Sequence, residues 1–203
     1  MSLFRKLFGK KNDDVTNPIK DHERSKYMPD VKIPIDERFT INFKANGGKF
    51  LYSENLDEVY QNLKLILHEN DWVEKNVLIL DQRLEEHFKA FDLRVTRNVS
   101  ESDYFLSACE YLIANDGSLL ISSNQIAEKK LHELPANFII YATTSQFVES
   151  ISEGLKGIKD KNLGNIPTNI TTIKHFKNTP EDKDFLTYGS SSKNLYLLLL
   201  EDL

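Results

Sequence analysis

Three unbroken apolar runs constrain this chain more than any other feature: Val77-Leu78-Ile79-Leu80, Phe138-Ile139-Ile140-Tyr141-Ala142 and Leu195-Tyr196-Leu197-Leu198-Leu199-Leu200. A strand with no polar alternation has no face to offer water, so both faces must be covered by other elements. Between Asp57 and Asn70 the apolar residues Val59, Tyr60, Leu63, Ile66 and Leu67, with Leu56 just ahead, follow helical spacing and fall on one face. Buried strands separated by amphipathic helices predict an α/β fold, a mostly parallel sheet with helices on both faces. At 203 residues, 40 % of them hydrophobic, the chain has length for one such core.

The remaining segments are read with the same rules. A denser region opens after Pro29 and Pro34 with Phe39 to Phe43, then a sharp turn at Asn46-Gly47-Gly48, then Lys49 to Tyr52. A short helix is expected around Leu84 to Phe91 and a strand near Leu93 to Val95. Ser100 and Asp103 read as an N-cap pair for a helix through Phe105 and Ala108. Tyr111 to Ala114 and Ser118 to Ile121 flank Asn115-Asp116-Gly117, which predicts a hairpin. Thr144 or Ser145 is expected to cap a helix with the stripe Phe147, Val148, Ile151, Leu155 and Ile158, and Ile170 to Ile173 reads as a strand. Residues 1–26 differ in composition. Leu3, Phe4, Leu7 and Phe8 interleave with Arg5, Lys6, Lys10 and Lys11, which suits either a flexible tail or a small basic amphipathic anchor. The expected organisation is an arm over 1–26 and one domain over 27–203.

Composition removes several classes of function. A formal net charge of -5, from 26 Lys+Arg against 31 Asp+Glu, argues against a nucleic-acid partner. The single cysteine, Cys109, can form no intramolecular disulfide and no thiolate cluster. The five histidines show no pairing at metal-ligand spacing, so no bound metal and no cofactor is expected. No apolar run reaches the roughly 20 residues of a membrane span, and the N-terminus has no signal-peptide core. The reading is a cytoplasmic protein with no transmembrane segment.

In parallel sheets, ligands settle beyond the carboxyl ends of the strands. The candidate loops are Asn46 to Gly48, Asn115 to Ser118, Ser122 to Gln125, Thr143 to Gln146, Lys174 to Lys177 and Gly189 to Lys193. Asp116 is either a general base on a tight turn or a residue the hairpin needs for its backbone angles. Ser122, Ser123 and Asn124 suit a hydrogen-bonding wall or a helix-capping turn. Gly189, Ser190 and Ser191 with Lys193 suit a cradle for a small anionic metabolite, or a plain turn. Lys129, Lys174 and His175 add positive charge, and Cys109 reads as a small buried residue rather than a nucleophile. There is no nucleophile elbow, no phosphate-binding P-loop and no dinucleotide glycine fingerprint.

Tyr111 to Ser123 (YLIANDGSLLISS), then Lys129 to Pro135, Asn137 to Ala142 and Ser145 to Val148, resemble the LUD-domain family, a lactate-utilisation family. Its pattern is a strand ending in Ala-Glu-Thr-Gly-Thr, an apolar strand, an Arg before Leu-Leu-Pro, another strand and a Gln-Ile-Val helix start. Asn115 stands where the family has Glu, Asp116 and Ser118 where it has Thr, Lys129 in place of Arg and Phe138 in place of His, while Gly117 is retained. A Ser-Gly-Pro-Ser-Arg-Thr stretch becomes Lys174 to Thr179, and a Gly-Pro-Arg loop becomes Ser191-Ser192-Lys193. The resemblance runs from about Phe43 to the C-terminus. It implies a three-layer α/β/α sandwich similar to ribose-phosphate isomerase and CoA-transferase folds. It also implies a cluster-free accessory of a bacterial lactate-oxidation system, beside subunits that carry iron–sulfur clusters. Fold analogy offers a second reading, a stand-alone enzyme or binding protein for a phosphorylated or CoA-linked metabolite. A third is a peripheral interaction module held by its arm.

Overall fold

The computed structural model describes residues 33–176 and 193–202. The arm over 1–26 and the Gly189 to Ser192 loop lie outside these residues.

Six strands form the main sheet: β1 (Lys49–Ser53), β2 (Asn76–Leu78), β3 (Arg94–Thr96), β4 (Tyr104–Ala108), β7 (Asn137–Thr143) and β10 (Asn194–Leu200). Their order is β1-β10-β7-β4-β2-β3, and every pairing is parallel. The three apolar runs supply β2, β7 and β10, the last two side by side at the centre. Leu197 pairs with Ile140 on one flank and Phe50 on the other.

Each face has its own cover. On one side α2 (Leu56–Glu69) lays Val59, Leu63, Ile66 and Leu67 against Ile139, Tyr196 and Leu198, joined by Leu84 of α3 (Gln82–His87) and by Phe88. Asn55 starts α2 by accepting the Glu58 amide at 3.0 Å. On the other side Phe39 and Phe43 of α1 (Ile35–Ala45) pack over Phe138, Ile140 and Leu197. They share that face with a second sheet, order β8-β5-β6-β9, made of β5 (Tyr111–Ile113), β6 (Ser118–Ile121), β8 (Phe147–Val148) and β9 (Thr171–Ile173). β5 and β6 are the predicted hairpin. Leu112 and Leu119 face the main sheet, while Tyr111, Ile113 and Leu120 face outward under Ile158 of α5 (Ile151–Lys161). The α/β fold with a parallel sheet is therefore observed, with a small sheet interposed on one side.

Two predicted helices are corrected. Residues 104–108 form the strand β4, and only a short turn at Val99–Glu101, capped by Asn98, precedes it. Ser100 donates its hydroxyl to Asn98, and the Asp103 carboxylate accepts the Asn76 amide, so neither residue caps a helix. Tyr104 and Leu106 then enter one core and Phe105 the other, the period-2 burial of a central strand. The helix expected from Thr144 or Ser145 is two elements. Phe147–Val148 pairs with β5, and α5 starts at Ile151 with Ser150 as its cap. Its buried positions are Gly154 and Ile158, while Ile151 and Leu155 face water.

Candidate functional site

The sheet has two polar ends, and the predicted site residues divide between them. β7, at seven residues, separates them by ~23 Å. Because Asn46 to Gly48 precedes β1 and Lys193 precedes β10, these positions lie at the amino edge, not beyond the carboxyl ends as predicted. Gly47 takes φ +89° at the end of α1, and a Cβ on Gly48 would stand 2.3 Å from the Phe43 ring, so this turn is shaped by packing. The hairpin turn reaches the same edge. Asn46 donates to the Asp116 carbonyl at 2.6 Å, and Asn42 to the carbonyls of Ala114 and Asn115. Gly117 has φ +67°, and a side chain there would meet the backbone of Asn42 and Phe43 at 2.4 Å.

At this edge Asp116 Oδ1 accepts the Ser118 amide and hydroxyl, at 3.1 and 2.6 Å, and Oδ2 stands 3.7 Å from Lys174 Nζ. Each oxygen thus holds the turn or its neighbour. Lys193 is 2 % exposed, donating Nζ to the carbonyls of Leu134 and Pro135 at 3.0 and 2.9 Å and lying over the Phe138 ring. Lys129 is half-buried, and its carbonyl accepts from Asn169 at 2.8 Å.

The carboxyl edge gathers a different group. The chain leaves β2 through α3 on one face of the sheet and leaves β4 through the hairpin on the opposite face. Neighbouring parallel strands whose connections depart to opposite faces leave a crevice between their carboxyl ends, the topological switch point where such folds bind ligands. Asp81 and Arg83 follow β2 here, and Cys109 and Glu110 follow β4.

Three donors converge on Glu110 Oε1: the Ser122 hydroxyl at 2.6 Å, Asn124 Nδ2 at 2.9 Å and Gln125 Nε2 at 3.1 Å. Glu110 Oε2 has no hydrogen-bond partner among the described residues. Ser122 also caps the short α4 (Ser123–Ile126) in a reciprocal box with Gln125, so the predicted wall and the predicted cap are the same structure. Ser123 exchanges hydrogen bonds with Thr168. The Arg83 side chain is 85 % exposed and grips Asp81 with Nε at 3.2 Å and Nη2 at 3.0 Å. That carboxylate, and more weakly Glu110, raise the guanidinium pKa. Burial works to raise the Asp81 pKa, but the Arg83 bonds outweigh it and hold the carboxyl below its ordinary range.

The Thr143 to Gln146 loop completes the edge. Gln146 donates to the carbonyls of Cys109 and Glu110 and accepts the Thr143 amide. Asp202 Oδ1 accepts from Thr144 at 3.0 Å and from the Ser145 amide at 2.8 Å, and Oδ2 accepts the Ser145 hydroxyl at 2.7 Å. Burial opposes these donors, yet together they lower the Asp202 pKa. The Cys109 thiol is buried, and burial raises its pKa far enough to keep it protonated, in line with its expected role as a packing residue.

Glu110, Arg83, Asp81 and Asp202 were not among the predicted residues. The signal for Glu110 was its place at the end of a strand, hidden as long as 103–108 read as a helix. Among the described residues no three His, Cys, Asp or Glu side chains converge as a metal site, and no helix is long and apolar enough to cross a membrane.

A parallel sheet with a polar switch-point crevice defines the class, an α/β protein with a candidate ligand site at its carboxyl edge. The LUD domain family model matches residues 37–200, and the chain belongs to that family. Among solved structures it is similar to a DUF162 family protein from Deinococcus radiodurans, with a TM-score of 0.59 and 13 % identity over 83 % of this chain and 96 % of that one. At that identity the likeness concerns the fold. The comparison with curated proteins found no match.

Proposed function

We propose that this LUD-domain protein is a cluster-free accessory component of a cytoplasmic, bacterial lactate-oxidation system, working beside iron–sulfur subunits. The family match over residues 37–200 carries this reading. The cysteine count supports the division of labour, since an iron–sulfur cluster takes about four protein thiolates and this chain has one. Electrons would then travel through the partner subunits. In this reading residues 27–203 are the LUD unit and 1–26 an appended arm.

The ligand crevice supports a second reading, a stand-alone enzyme or binding protein for a phosphorylated or CoA-linked metabolite, with the isomerase and CoA-transferase folds as the nearest analogy. An exposed guanidinium, Arg83, and the exposed polar side chains of Asn124 and Ser145, all following carboxyl ends of strands, are chemistry that suits an anionic group. Glu110 would be its base or its hydrogen-bond acceptor.

The test is growth and lactate consumption of a deletion strain on lactate, complemented by wild type, by Glu110→Gln and by Asp116→Ala. A lactate defect rescued by wild type supports the accessory role. Failure of Glu110→Gln alone, at normal expression, assigns the work to the carboxyl edge, and failure of Asp116→Ala alone assigns it to the hairpin turn as first expected. Unimpaired lactate use by the deletion strain overturns the accessory reading, and a melting-temperature screen with phosphorylated and CoA-linked compounds then tests the second.

A further inference from the structure

The chain leaves α4 through a backbone conformation that alanine rarely adopts. Ala127 has φ 52° and ψ -133°, at the second position of the turn Ile126 to Lys129, which the Lys129 amide closes onto the Ile126 carbonyl at 3.1 Å. These are the angles of a type II′ turn, whose second position suits glycine and strains a residue that carries a Cβ. The Ala127 methyl is exposed, so no packing contact offsets the strain. The turn is held from outside instead. Asn169, itself at φ 52°, donates Nδ2 to the carbonyls of Ala127 and Lys129 at 3.1 and 2.8 Å, and Thr168 donates its hydroxyl to Glu128 at 3.1 Å. Ser123 and Thr168 exchange two more bonds, at 2.8 and 3.0 Å. Along α4 itself, Glu110 Oε1 holds Ser122, Asn124 and Gln125, and Ile126 is buried in the core.

We propose that residues 122–129 form a strained strap with a closed arrangement, gripping Glu110 as described, and an open one that bares this carboxylate to the crevice. Strain in the closed form narrows the free-energy gap to the open one, so the strap opens without global unfolding. Closed, Oε1 is taken by three donors; open, both oxygens of Glu110 are free to meet a ligand, and a group that binds the bared carboxylate shifts the strap toward opening. The device goes beyond the proposed function and holds under either reading of it, because its test needs no ligand.

The experiment is amide hydrogen exchange of the full chain, followed by NMR at Asn124 and Ile126, whose amides bond to Ser122, with Ile140 of β7 reporting global opening. Both strap amides are expected to exchange faster than Ile140. Ala127→Gly relieves the strain and should slow them about fivefold, the excess of strain over the backbone freedom that glycine adds. Lys129→Gly adds that freedom without relieving strain and should not slow them. Glu110→Ala and Asn169→Ala each remove bonds that hold the strap and should speed them by about tenfold. Exchange of the strap only together with Ile140, slowing by both glycine variants or by neither, or exchange unmoved by Glu110→Ala each overturns the proposal.

Discussion

The two ends of the main sheet carry similar residues and use them differently. At the amino edge the polar side chains turn inward onto backbone: Asn42 and Asn46 onto hairpin carbonyls, Lys193 onto Leu134 and Pro135, Asp116 onto its own turn. At the carboxyl edge side chains meet side chains and leave groups facing water, with Arg83 exposed and Glu110 held by one oxygen. A polar group committed to a buried carbonyl stabilises the fold and offers little to a ligand. One fixed by neighbours but still open is pre-organised for binding. The difference separates residues that hold the chain together from residues that can act.

Substitutions at the amino edge should therefore cost stability, and the largest cost is expected at Gly117. Gly117→Val adds a branched side chain where the Asn42 and Phe43 backbone stands 2.4 Å away, at positive φ, so a loss of about 4 kcal/mol is expected. A denaturant titration with an unchanged midpoint would show that α1 does not pack on the hairpin as described. Lys193→Met keeps the apolar stem but withdraws a charged donor from two carbonyls, and should cost about 2–3 kcal/mol by the same titration. A stabilised variant would mean that this buried ammonium is a burden on the fold.

At the carboxyl edge the expectation reverses. Glu110→Gln retains an oxygen able to accept from Ser122, Asn124 and Gln125, so stability should move by less than about 1 kcal/mol while the charge facing the crevice is lost. A large drop in melting temperature would place Glu110 with the structural residues and weaken the contrast. The smallest effect is at Asp202. Its lowered pKa contributes stability that is fully present above the unfolded-state value near about 4 and is lost as pH falls through the lower folded value. Asp202→Asn should lower the melting temperature slightly at neutral pH and flatten the acid side of the profile, the two curves converging as pH falls below about 4. Parallel profiles for the two proteins would show that the Thr144 and Ser145 contacts do not bias its protonation.

The fold was legible where one pattern had one solution. The apolar runs at 77–80, 138–142 and 195–200 and the stripe of α2 can be buried in few other ways. The hairpin was legible from Asn115-Asp116-Gly117, because Gly117 does adopt the positive φ that the turn requires. β4 was not, because Ser100 and Asp103 mimic a helix start while Tyr104 to Ala108 show no polar alternation to betray a strand. The candidate site was legible in part. Ser122 and the Thr143 to Gln146 loop were found, but Glu110 depended on the end of a strand that had been misread.

The sequence by itself determined the α/β class, the parallel centre of the sheet, the turn chemistry and the exclusion of a cysteine cluster, since these follow from local periodicity, backbone preference and a count. Only the tertiary structure decided which end of the sheet each loop occupies. Glycine and serine loops look alike in sequence whether they precede a strand or follow it. Strand direction and order, set by which apolar faces cover one another, send Asn46 and Lys193 to the amino edge and join Glu110 to Ser122 across 12 residues of chain.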